Sequence, residues 1–197
     1  MPSLKSFLVA VSTLSTASLL SFAGCSSTPN APEPEPDRML SSAIAKLEAR
    51  SGSTVSGTVT FSERQTTFGG KSTRMLDVRY DITGLAPGET RGFHVHDVGD
   101  CSAPDASSAG GHFNPGGHSH GAMDAPMSHA GDLGNITANP AGRAEGLITG
   151  LMKISLEPGA DSIIGRSVIV HEKTDDYTTQ PTGNAGARVA CGVIVAD

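Results

Sequence analysis

The stretch Gly92-Phe93-His94-Val95-His96 reads as the end of a β-strand. Side chains two residues apart on a strand share a face. Phe93 and Val95 therefore point to a core, while His94 and His96 point together to the other side and can approach one ion. A second β-rich run, Val168-Ile169-Val170-His171, ends in a histidine that can complete such a site from across a sheet. An HxH pair alone is equally compatible with two surface histidines on a half-exposed strand. Further runs alternate or are β-rich: Val55–Ser62, Arg74–Ile82, Arg143–Met152, Gly165–His171 and Ala187–Val195. Gly, Pro and Asn punctuate them, as in Leu85-Ala86-Pro87-Gly88 and Asn139-Pro140-Ala141-Gly142. Short strands with such turns predict an antiparallel sandwich or barrel. Ser42–Arg50 has a composition compatible with a short helix.

Two long irregular stretches interrupt the strands, 97–128 and 172–186. Loops of this length in a compact domain are usually functional or disordered. The first, with the start of the following segment, holds His112, His120, His129 and Asp132. Three imidazoles and a carboxylate suit tetrahedral zinc. An imidazole-only set drawn from two strands suits copper better. His118 is an additional histidine two residues before His120. It can replace His120 on the ion, take a stray ion or stay solvated.

The chain has 197 residues, a formal charge of −6 and only 4% aromatic residues. An acidic chain with no basic stripe argues against a nucleic-acid partner. Residues 1–24 read as a signal peptide: Lys5 supplies the positive charge, and Phe7 to Phe22 is uncharged and mostly apolar or small. The segment ends in Phe22-Ala23-Gly24-Cys25, which resembles the lipobox of bacterial lipoproteins. That resemblance implies cleavage before Cys25 and lipidation of its thiol and new amino group. Residues 25–40 follow as a Pro-rich tether, and residues 41–197 as the folded domain. Three cysteines are an odd number for a secreted protein. Lipidation of Cys25 leaves Cys101 and Cys191, either as a pair or as two free buried thiols.

The histidine motifs, read with their neighbours, resemble the copper,zinc superoxide dismutases. The stretches that carry the resemblance are Gly92 to His96, Ser108 to Pro115, His129 to Ile136, Gly165 to Lys173 and Gly183 to Gly192. They run in the family's order from about residue 43 to 196. The resemblance implies an eight-stranded antiparallel Greek-key β-barrel with long metal-binding loops. It implies one copper ion on His94, His96, His112 and His171, and one zinc ion on His112, His120, His129 and Asp132. His112 would bridge the two ions. Asp175 matches the carboxylate behind one ligand of each metal, Arg188 the arginine that receives the anion, and Cys101 and Cys191 the family's disulfide.

The activity so implied is disproportionation of superoxide to oxygen and hydrogen peroxide, by copper redox cycling with a zinc-supported bridging histidine. The position of Cys101 resembles bacterial members, and the loop between Asp175 and Arg188 is short, with no Lys or Glu. The expected setting is a bacterial envelope, with the protein held to a membrane through Cys25 and facing the periplasm or exterior. Ser26 after the lipidated Cys suggests outer-membrane sorting. The sequence leaves the oligomeric state open, a homodimer being one option. A copper- and zinc-binding lipoprotein without turnover is the alternative reading.

Overall fold

The computed structural model describes residues 37–68 and 70–197. The signal peptide, Cys25 and the tether as far as residue 36 lie outside the described residues. Eight strands succeed one another: β1 (Arg38–Ala49), β2 (Ser56–Phe68), β3 (Lys71–Thr83), β4 (Thr90–His96), β5 (Asp132–Thr137), β6 (Ala144–Leu151), β7 (Ser167–His171) and β8 (Arg188–Ala196). One turn of 3-10 helix at Ser107–Ala109 is the only helix among the described residues. The strand order is β5-β4-β7-β8-β1-β2-β3-β6, antiparallel throughout. The result is the expected eight-stranded antiparallel barrel, nearly closed. The chain skips from β3 to β4 and from β6 to β7 in the Greek-key manner. β5 and β6 end the order and flank the one seam without a strand ladder.

Of the segment 42–50, residues 42–49 are strand rather than helix, and Arg50 lies just beyond the strand. β1 buries Ala43, Ala45 and Leu47, every second residue, between β2 and β8. Its Ala, Leu, Lys and Glu favour a helix locally, but two-sided strand pairing outweighs a preference of a few tenths of a kcal/mol per residue, roughly. β1 also starts at Arg38, so Arg38–Leu40 belong to the barrel rather than to the tether.

The interior holds Phe61, Leu76, Val78, Ile82, Phe93, Ile136, Val168, Val170 and Ile194. β7 is buried along its whole length, and β4 from Gly92 onward. Their inward residues fill the core, as Phe93 and Val95 were expected to do. Their outward residues, His94, His96 and His171 among them, are buried too. The two long loops cover that outer face, and the site lies beneath them.

Cys101 and Cys191 form a disulfide, with Cα atoms 5.8 Å apart and a sequence separation of 90. It ties the first long loop to β8, over a small cluster of Ala106, Ala109 and Ile169. In the chain-entropy picture, closing a loop of that size stabilises the fold by about 4–5 kcal/mol. Cys101→Ser should therefore lower the denaturant midpoint sharply without changing the strand content seen by circular dichroism. An unchanged midpoint would show that the bridge does not carry this stability.

Candidate metal centre

The strand register places the first three histidines. His94 and His96 lie on β4, and β7 runs beside it with Phe93 opposite Val170 and His96 opposite Ser167. Ile169 stands opposite His94, so His171, two residues further along β7, shares the outer face by strand alternation, and it lies opposite Arg188 on β8. The first loop returns over this face, where His112 makes a bridge to His96. The structure gathers the expected residues into two groups of four, His94, His96, His112 and His171, and His112, His120, His129 and Asp132. Within each group the candidate ligand atoms lie within 4.8 Å of one another, and every member is buried. His118 is outside both. Its backbone is held by Asn114, whose Nδ2 donates to His118 O at 2.8 Å and whose Oδ1 accepts His118 N–H at 2.9 Å.

In the first group each ring has one nitrogen engaged and one nitrogen aimed inward. His96 Nδ1 donates to Gly110 O at 3.0 Å, and His171 Nδ1 donates to Gly186 O at 3.3 Å. A carbonyl can only accept, so both protons sit on Nδ1. Burial holds both imidazoles well below their ordinary pKa, so both rings are neutral. Their Nε2 lone pairs then face each other at 3.3 Å with no proton between them. His94 Nε2 donates to Asp175 Oδ2 at 2.7 Å, which leaves its Nδ1 buried without a partner. His112 Nε2 is likewise buried and unpartnered. An unpaired buried polar atom costs about 1–3 kcal/mol. Four converging lone pairs are the donor arrangement that a metal cation relieves. The donor set fits a metal.

The second group is different in charge. Asp132 Oδ1 lies 2.9 Å from His112 Nδ1, 3.1 Å from His120 Nδ1 and 3.2 Å from His129 Nδ1. Its Oδ2 accepts the N–H groups of Gly121 and His129, both at 3.1 Å. Burial alone would raise the Asp132 pKa. Hydrogen bonds from His112 and His120 overcome this and hold it well below the usual carboxylate range. Asp175 behaves the same way, burial being outweighed by hydrogen bonds from His120 and His94. Burial opposes protonation of His120, yet Asp132 and Asp175 push its pKa up to about 9. His94 goes the other way: burial outweighs Asp175 and pushes it down to about 4. One half of the site thus attracts positive charge strongly, and in the other burial disfavours protonation of His94, His96 and His171.

Asp175 is the link between the halves. It is fully buried, and its Oδ1 accepts His120 Nε2–H at 2.8 Å while Oδ2 holds His94. Arg188 is half-buried, with Nη1 and Nη2 donating to Ala106 O and Gly110 O at 2.6 Å each. Gly110 O therefore accepts from both Arg188 and His96. The sequence reading missed Gln180, in the short second loop. Its Oε1 accepts His120 N–H at 2.8 Å and its Nε2 donates to His120 O at 2.9 Å. No local pattern marks it, because its partner is 60 residues away.

Fold and site define a β-barrel metalloprotein with two adjacent cation sites that share one imidazole. The family description "Copper/zinc superoxide dismutase (SODC)" matches residues 55–194. The chain is 43% identical over 152 residues to a Cu-Zn superoxide dismutase of Neurospora crassa, covering 74% of this chain and 92% of that protein. It is 42% identical over 151 residues to one from Candida albicans, with the same coverage of each chain. A solved structure, titled "Crystal Structure Analysis of the clock protein EA4", matches with a TM-score of 0.66 and 40% identity over 79% of this chain and 94% of that one. The chain belongs to the copper/zinc superoxide dismutase family. It is accordingly an oxidoreductase whose cofactors are copper and zinc.

Proposed function

We propose that copper is held by His94, His96, His112 and His171, and zinc by His112, His120, His129 and Asp132, for the disproportionation of superoxide. The observation that carries this reading is His112. Its Nδ1 faces the carboxylate group and its Nε2 faces the imidazole group, so one ring can serve both ions. Copper, when bound, supplies the one-electron exchange that superoxide needs in both directions; zinc has no redox chemistry.

The protein's own groups do the rest. Asp175, Gly110 O and Gly186 O fix the protonated nitrogens, so that the lone pairs of His94, His96, His120 and His171 stay aimed at the ions. Arg188 presents a guanidinium locked by two carbonyls, which receives the superoxide anion in a protein of net charge −6. His112 Nε2 is the ring atom placed to hold a proton at the reaction centre and give it to the forming peroxide, while Nδ1 remains on the zinc side. The test is turnover measured alongside metal content. The loaded protein should disproportionate superoxide, and Arg188→Ala should lose about tenfold or more in rate while keeping both metals. Equal loss of rate and metal would defeat the role given to Arg188. Full metal loading with negligible turnover in the unaltered protein would favour a metal-binding protein without activity.

We also infer that the protein is a lipoprotein of a bacterial envelope, anchored through Cys25. The support is the Phe22-Ala23-Gly24-Cys25 motif and the proline-rich residues after it. Mass spectrometry of the mature N-terminus should find a diacylglyceryl group on Cys25; an unmodified Cys25 would rule the anchor out.

A further inference from the structure

We infer that Lys153 is a positioning residue for the zinc half of the site. It acts by stitching the open seam of the barrel to the loop that carries the zinc ligands. Lys153 stands two residues beyond the end of β6, one flank of the seam between β5 and β6. An ammonium has three N–H donors. Here all three cross the seam: Lys153 Nζ donates to Met123 O at 3.1 Å, to Ala125 O at 2.5 Å and to Ser128 Oγ at 2.6 Å. Ser128 Oγ passes its own proton to Ala125 O at 3.0 Å, which closes a ring of hydrogen bonds. Every acceptor lies between His120 and His129, and buried Ser128 directly precedes His129, whose N–H holds Asp132 Oδ2.

The other end of this support is equally fixed. Ile154 and Leu156 are buried in the core. Glu63, on β2, is 1% exposed and takes no part in the metal site. Its carboxylate accepts Ser155 Oγ–H and Leu156 N–H, both at 2.8 Å. The backbone around Lys153 is thereby bound to β2, two strands along the sheet from β6. No strand ladder joins β6 to β5, and Lys153 supplies the polar link at the zinc end of that seam. The charge-assisted bonds are of the stronger kind. They hold residues 123–128 in one arrangement before any ion arrives, so the three ligands that flank this segment meet a preset geometry.

This inference rests on the assignment of zinc to His112, His120, His129 and Asp132. The test is zinc and copper affinity of the metal-free full chain, each metal added alone and measured by chelator competition. Lys153→Met keeps most of the apolar stem and removes the charge with its three donors. Its zinc dissociation constant should rise about tenfold or more, the range seen when groups behind metal ligands are removed. Its copper affinity should not change, and Lys153→Arg should recover part of the loss.

Unchanged zinc affinity in Lys153→Met would overturn the inference, and so would equal loss of both metals, which would mark a general structural role. Should Lys153→Met not fold, Ser128→Ala removes one acceptor and leaves the ammonium. A smaller, zinc-only loss there supports the inference, and no loss overturns it. Zinc uptake by the unaltered chain that disappears in His129→Ala separates the two levels. If that uptake is absent, the zinc assignment itself falls. If it is present and Lys153→Met binds equally well, only Lys153 falls.

Discussion

His112→Ala should abolish turnover and weaken both metals together. No other side chain belongs to both groups of four. On the proposed assignment, its removal takes one of four donors from each ion and the ring atom placed to give a proton to the product. The loss in rate should exceed about 100-fold, the upper range for residues that only support a ligand. Stability should suffer less, because the lost ring is replaced by a small cavity at the edge of the core rather than within it. Metal content and rate, measured on the same samples, check this. A variant that keeps both metals at normal affinity would show that the two sites are independent and that His112 belongs to one of them alone.

Asp175→Asn should be nearly as damaging as Asp175→Ala, although it preserves shape. The carboxylate accepts from His94 Nε2–H and His120 Nε2–H at once, and from Tyr177 N–H at 2.7 Å. An amide has one accepting end, and its NH2 group would face an imidazole N–H. The affected ring must then move its proton to Nδ1, the nitrogen that faces a metal. If the amide's NH2 faces His120, zinc affinity falls by about 10- to 100-fold. If it faces His94, the copper side loses a donor instead. Chelator competition for each metal distinguishes these outcomes. Undisturbed affinity for both would mean that the proton positions on His94 and His120 are set by something other than Asp175.

The full ligand sets were legible only through the family resemblance, but the pair His94 and His96 was legible because strand alternation is a two-residue rule. It places His94 with His96 and sends Phe93 and Val95 inward, without knowledge of the rest of the chain. The long loops were legible from their irregular, Gly-rich composition. β1 was not, because its Ala, Leu, Lys and Glu prefer a helix until β2 and β8 pair with both of its edges. β5 was not singled out as a strand either. It is six residues long, and Gly134 sits in it at a φ of +85°. Lys153 and Gln180 reach residues 25 to 60 positions away through single polar side chains. No periodicity encodes such contacts. The same holds for the carbonyls of Gly110 and Gly186, whose role depends on backbone direction rather than on residue type.

The central claim is that two cations of different chemistry sit side by side and share His112. Diffraction from crystals of the copper- and zinc-loaded protein, recorded on either side of each metal's absorption edge, tests it most directly. One copper peak is expected among His94, His96, His112 and His171, and one zinc peak among His112, His120, His129 and Asp132. A single peak, or the same metal in both positions after loading with one equivalent of each, would contradict it.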